Sequence, residues 1–237
     1  MKNYHFNLQS KGGAGKSMLT YLQALKQEEN AGAAFVDLDS ASRTSSTQLA
    51  FLSLKNRVFE IEILDDIKRI DREKLFKVLE ALNETEYEDI YIDFGSSESD
   101  QLLRLLTLDF TIDDFVEFEK TLKAHFFFNI VIAGGAAYGP SFLFLKKMTE
   151  AVKGSFPVYI YANEFTFKNN RQLIEELGQF VKSTKGLIRE VRPFGDINTD
   201  RASGIEISAN VKDGKGIVAY RSFAARIIIN KELSKVI

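Results

Sequence analysis

The stretch Ser10-Lys11-Gly12-Gly13-Ala14-Gly15-Lys16-Ser17 concentrates three glycines, two lysines and two serine hydroxyls. Glycines at this density let a backbone turn tightly enough to aim successive N–H groups at one point, and a helix starting where the loop ends adds its partial positive charge there. The chemistry such a loop suits is the cradling of phosphates. Lys16 is placed to reach β- and γ-phosphates, and Ser17 offers a hydroxyl to Mg²⁺. The pattern is G-x-x-x-x-G-K-[ST] with one departure: Ser10 stands where a glycine usually opens the loop, and a second lysine, Lys11, stands beside it.

Other residues suit the same chemistry. Asp39 closes Asp37-Leu38-Asp39 after the apolar run 33–36, where a carboxylate can orient or deprotonate a water attacking a γ-phosphate. Asp37, two residues earlier, suits holding the loop through backbone amides. Asp93 ends the run Ile90-Tyr91-Ile92, a pattern that places a carboxylate near Mg²⁺, commonly through a metal-bound water. Gly95, just beyond, can offer an N–H to the γ-phosphate. Asn163 follows the run 158–162, and its amide can both donate to and accept from a purine edge or serve a turn. Arg192-Pro193-Phe194 can wall a base pocket, Phe194 equally being core. His5 and His125 have no partner histidine or cysteine at metal-ligand spacing and read as structural.

These residues need elements to hold them. The alternating segments 2–9 and 57–64 and the short runs at 33–36, 89–94, 126–133, 156–162 and 187–191 read as strands. Helical spacing of apolar residues falls at 16–30, 71–84, 99–108, 112–123, 141–153 and 171–182, with mixed helix over 215–233. Strands alternating with helices predict βαβ units: an α/β fold with a mostly parallel sheet flanked by helices. In such sheets ligands lie beyond the carboxyl ends of the strands, so Asp39, Asp93, Asn163 and Arg192 should share a crevice with the loop. Inward faces are expected for Leu173, Ile174, Leu177, Phe180 and Val181, and burial for the apolar residues of the last helix, Val218, Phe223, Ile227, Ile228 and Ile229 among them.

The 237 residues suit one domain, 1–237, and the absence of cysteine excludes disulfides, thiolate metal sites and cysteine nucleophiles. No run approaches the ~18 consecutive apolar residues of a membrane span. With no leader-like segment before the first strand, a cytoplasmic protein with no membrane role is expected. The net charge of −2 is uneven: residues 119–237 hold 18 of the 31 Lys and Arg but 11 of the 33 Asp and Glu. That asymmetry hints at a polyanion-facing surface, although dense basic clusters are missing.

Lys11-Gly12-Gly13-Ala14-Gly15-Lys16-Ser17 resembles the deviant Walker A motif KGGxGK[ST] of the ParA/MinD superfamily of P-loop ATPases. Asp37-Leu38-Asp39 matches its DxD element, the strand ending at Asp93 its Walker B, and Asn163 its adenine-reading asparagine. Asp93-Phe94-Gly95-Ser96-Ser97, Val131-Ile132-Ala133-Gly134-Gly135 and Ala162-Asn163-Glu164-Phe165 look most similar to the plasmid StbB/TraL-type branch, linked to plasmid stability and conjugal transfer. Ser40 and Gly95 depart from the prolines common in partition ATPases.

The resemblance implies a P-loop NTPase fold and a slow, partner-stimulated, Mg²⁺-dependent ATPase that forms an ATP-dependent sandwich homodimer. Lys11, Lys16 and Asp39 would be its catalytic residues, Lys11 crossing to the partner's nucleotide. Gly12, Gly13, Ala14, Gly15, Lys16, Ser17, Met18, Asn163, Arg192 and Pro193 would bind ATP, and Ser17 and Asp93 would hold Mg²⁺. The implied task is partition or positioning of plasmid DNA, through DNA or a plasmid-encoded partner protein. The alternative is a nucleotide-switched adaptor that binds a protein and no DNA. A small-molecule kinase or ligase on the same scaffold leaves Lys11 without a task.

Overall fold

Alternation along the first strand decides how the chain layers. Tyr4, Phe6 and Leu8 are buried on one face while His5 and Asn7 are buried on the other. A strand buried on both faces belongs at the centre of a sheet covered on both sides. A computed structural model, describing residues 1–38, 44–67 and 69–237, has this arrangement. In chain order its elements begin with β1 (Lys2–Leu8), α1 (Lys16–Lys26), β2 (Ala33–Asp37), α2 (Thr44–Gln48), α3 (Ala50–Ser53), β3 (Val58–Glu60), α4 (Arg72–Asn83) and β4 (Asp89–Asp93). Next come α5 (Ser96–Arg104), a π-helical turn (Leu105–Asp109), α6 (Ile112–Leu122), β5 (Ala124–Ala133), α7 (Tyr138–Val152) and β6 (Val158–Asn163). The chain ends with α8 (Glu164–Phe167), α9 (Arg171–Ser183), β7 (Ile188–Phe194), α10 (Ala202–Lys212) and α11 (Phe223–Leu233).

The strands form one seven-stranded sheet in the order β3-β2-β4-β1-β5-β6-β7, and every pairing is parallel. The chain first builds outward from β1 toward the β3 edge, then crosses from β4 over β1 to β5 and builds toward β7. The direction of winding therefore reverses beside β1, which opens a crevice at its carboxyl end.

Two hydrophobic layers hold the sheet. On one face Tyr4, Phe6, Phe126, Phe128 and Ile160 pack against Leu75 and Leu79 of α4, Phe115 of α6, Leu145 of α7 and Leu177 of α9. On the other, Phe35, Tyr91, Tyr161 and Phe194 pack against Leu19, Leu22 and Leu25 of α1, Ile207 of α10 and Ile229 of α11. Each fully buried leucine or isoleucine contributes about 1.5–3 kcal/mol. Local signals set the helix ends: Thr111 caps α6, its hydroxyl accepting from Asp114 N while the Asp114 carboxylate accepts from Thr111 N. Such a cap is worth about 1 kcal/mol.

Several expectations are corrected. The third strand is only Val58–Glu60, because the following residues leave the sheet and return through a single antiparallel bridge from Leu64 to Ile70. The helix expected over 99–108 starts at Ser96 and its last turn widens into the π form. Helix α10 was not expected: Gly204 and Ser203 weaken its periodic signal, yet Gly204 is required where a Cβ would stand 1.9 Å from Asn198 O. Ile174, Val218, Phe223 and Ile227 are exposed, not packed. Ile229 takes the inward place on α11, one turn of rotation being unable to bury three consecutive isoleucines. Among the described residues no helix is long and apolar enough to cross a membrane.

Candidate nucleotide-binding site

The glycine loop lies between the carboxyl end of β1 and the start of α1. Gly13 and Gly15 hold φ of 77° and 110°, a left-handed backbone that side chains resist. Alternating such residues with right-handed ones makes a concavity of N–H groups that suits an anion. Gly15 is the N-cap of α1, and Leu19 N closes the first turn on its carbonyl at 2.9 Å. A Cβ here would also stand 2.8 Å from Asn163 Nδ2, so conformation and space both demand glycine.

A residue not singled out from the sequence anchors this loop. Gln9 is fully buried; its Nε2 donates to Val131 O at 2.6 Å and Ser141 O at 3.3 Å, and its Oε1 accepts from Lys11 N at 3.0 Å. One amide thereby ties the loop to β5 and α7. Its inward direction continues the His5, Asn7, Gln9 alternation, which is the signal that could have found it. Lys16 Nζ donates to Gln9 O at 3.0 Å and to Ser96 Oγ at 3.2 Å. Lys11 is exposed on the loop, Gly12 and Gly13 are exposed beside it, Ala14 is buried, and Met18 packs against the core on the α1 face.

Ser17 and Asp93, 76 positions apart in sequence, lie within hydrogen-bonding distance. Ser17 Oγ donates to Asp93 Oδ2 at 3.2 Å, and Ser45, at the start of α2, donates to the same oxygen. Asp93 is 1% exposed, and among the described residues its Oδ1 has no hydrogen-bond partner. Burial pushes its carboxyl up to about 6, against the pull of the Lys16 ammonium and the Ser45 hydroxyl. A buried carboxylate with one unpartnered oxygen, beside a hydroxyl at the loop's end, fits Mg²⁺. Among the described residues no three His, Cys, Asp or Glu side chains gather into a cage. Mg²⁺ does not require one, since it keeps waters and takes one or two protein oxygens alongside phosphates. Asp37 Oδ2 accepts from Ser46 N at 2.8 Å, the loop-holding role. Asp39 lies outside the described residues.

Asn163 reaches the loop from the end of β6. Its Nδ2 donates to Ala14 O at 3.2 Å, and its Oδ1 lies 3.2 Å from where a Cβ on Gly195 would be. Phe194 is wholly buried, with its ring against Gly15, and Gly195 N donates to the buried Glu232 Oε2 at 2.6 Å. Arg192 instead binds Glu190 Oε2 through Nε at 2.9 Å and Nη2 at 2.6 Å and lies over the Tyr159 ring. Pro193 points to the other face, into an apolar groove with Leu177 and Val181. Ser96, named only as part of a motif, and Ser45 have no role of their own in the sequence, because each acts on a residue far away along the chain. A larger cleft of about 1060 Å³ opens between the start of α4 and α5. Its Arg72 pairs with Asp109 at 3.5 Å and its lining mixes both charges.

A glycine loop joining the first strand to a helix, at the carboxyl edge of a parallel sheet where the winding reverses, defines a P-loop nucleoside-triphosphatase fold. More particularly, the fold is that of MinD. The chain matches the MinD cell division protein of Aquifex aeolicus with a TM-score of 0.54 at 13% identity, covering 99% of this chain and 95% of that one. The MinC:MinD cell division protein complex of the same organism matches with a TM-score of 0.52, 13% identity and the same coverage of 99% and 95%. A plasmid partition protein from Borrelia burgdorferi is a fainter likeness, with a TM-score of 0.49 and 16% identity over 90% of this chain and 96% of that one. Identities this low establish the fold. No family model matches the chain, and no curated protein matches it.

Proposed function

We propose that this chain is a ParA/MinD-type ATPase that forms a dimer around ATP and uses it to partition or position plasmid DNA, with a link to conjugal transfer. The observation that carries the reading is the Ser17 hydroxyl on Asp93 Oδ2 at the end of a glycine loop, with Lys16 alongside. Gly12 to Ser17 would bind the phosphates through backbone amides and the Lys16 ammonium. Ser17, with Asp93 through water, would hold Mg²⁺, which when bound offsets phosphate charge. Asp39 would orient the attacking water. Asn163 would read the base, with Met18 beside the loop; Arg192, held by Glu190, and Pro193, on the other face, take no part. Lys11, exposed on the loop, would reach the nucleotide of a second copy, which gives the second lysine a task. Hydrolysis in this reading is slow and partner-stimulated, and the protein works in the cytoplasm.

Light scattering with ATP and Mg²⁺ tests the dimer. Wild type should double in mass while Lys16→Ala and Lys11→Ala stay monomeric; a wild type that stays monomeric and hydrolyses no ATP sinks the reading. Binding to arbitrary duplex DNA should need ATP and weaken as salt rises. One observation favours the second reading, a nucleotide-switched adaptor for a protein partner: Phe223 and Ile227, one turn apart on α11, are exposed at 72% and 51%. Capture of a partner from lysate with ATP but not ADP, insensitive to nuclease, separates this from DNA binding.

A further inference from the structure

We propose that Ser96 reads the terminal phosphate and so sets a preference for triphosphate over diphosphate; this rests on the loop being a nucleotide site. The two ends of the loop face different partners. At one end, Gly15 abuts Asn163, the candidate base contact, and Gly195 lies just beyond that amide. At the other, a Cβ on Gly12 would stand 3.7 Å from Ser96 Oγ. A nucleotide with its base at Asn163 therefore runs its phosphates toward Gly12, and the last of them ends at Ser96.

Ser96 is half-buried at the first position of α5, three residues beyond Asp93, so the strand that carries the metal-site carboxylate also fixes this hydroxyl. Its Oγ accepts from Lys16 Nζ at 3.2 Å across the loop, while Lys16 also donates to Gln9 O. The lysine that would bind phosphate is thus held over the place where a γ-phosphate would sit. A hydroxyl both accepts and donates. With the loop empty it accepts from the Lys16 ammonium; with a triphosphate present it donates to a γ-phosphate oxygen. A diphosphate ends short of it and gains nothing. Ser97, the next hydroxyl, is exposed and accepts from Gln101 Nε2, facing away toward the cleft beside α5.

The test is titration with fluorescent ATP and ADP analogues in Mg²⁺, using wild type, Ser96→Ala, Ser96→Thr and Lys16→Ala. Ser96→Ala should weaken ATP binding about tenfold and leave ADP within about twofold, as expected for losing one hydrogen bond to a charged group. Ser96→Thr keeps the hydroxyl and should restore the preference. Hydrogen exchange adds a readout without turnover: ATP, but not ADP, should protect the amides at the start of α5 in wild type, and Ser96→Ala should lose that difference. Equal weakening of both nucleotides, or an unchanged preference in Ser96→Ala, overturns the assignment to Ser96 alone. Lys16→Ala binding as tightly as wild type overturns the reading of the loop itself.

Discussion

Replacing Asp93 with asparagine should stabilise the nucleotide-free protein at neutral pH while removing Mg²⁺-dependent nucleotide binding. Asp93 is buried, and its carboxyl is raised from the ordinary 3.8 to about 6. A carboxyl with a raised value in the folded state binds its proton more tightly there than when unfolded. Its contribution to stability is therefore full below 3.8 and is lost as pH rises through about 6. At about 1.4 kcal/mol per pH unit, the ionised carboxylate costs about 3 kcal/mol above neutrality. Asparagine carries no charge to desolvate and keeps an oxygen for Ser17 and Ser45, but its amide N–H₂ falls where Oδ1 has no partner, costing about 1 kcal/mol. The net gain is about 2 kcal/mol at pH 7.5, shrinking to about 0.5 kcal/mol near pH 5, where wild type is mostly protonated. Urea unfolding at both pH values, extrapolated linearly, measures this. An Asp93→Asn protein less stable than wild type at pH 7.5, or a difference that does not change with pH, would refute the argument from burial.

Three further outcomes follow from particular contacts. Gly15→Ala meets Asn163 Nδ2 at 2.8 Å and a φ of 110°, so it should lose about 1–3 kcal/mol in thermal or urea unfolding and also weaken nucleotide binding. Gln9→Leu leaves Val131 O and Lys11 N without the partners they have now, and should destabilise by about 2–4 kcal/mol while hydrogen exchange of the loop amides rises; a change below about 0.5 kcal/mol would mean water replaces the amide. On α11, Ile229→Ala should cost about 2–5 kcal/mol and Phe223→Ser within about 0.5 kcal/mol, since the first is wholly buried and the second 72% exposed; comparable losses would mean that α11 packs differently.

The sequence alone determined the parts whose cause is local. Three glycines within 12–15 announce a tight turn, although only the structure shows that Gly13 and Gly15 take the left-handed backbone, and the strands beside β1 are legible because burial on both faces requires nearly unbroken apolar runs. Lys16 and Ser17 are candidates through the glycine-loop pattern, and Asp93 and Asn163 through their places at the ends of such runs. Only the tertiary structure decided which of these ends meet and what supports them. Asn163 bonds Ala14 across 149 positions, Ser96 bonds Lys16 across 80, and Ser45 bonds Asp93 across 48. No periodicity records those pairs, since they arise from strand order and from which loops share the crevice beside β1. The same holds for the apolar residues that stayed outside: Ile174, Val218, Phe223 and Ile227 are as hydrophobic as their buried neighbours. Whether a side chain leaves water depends on what covers it, and that is a property of the packed layers.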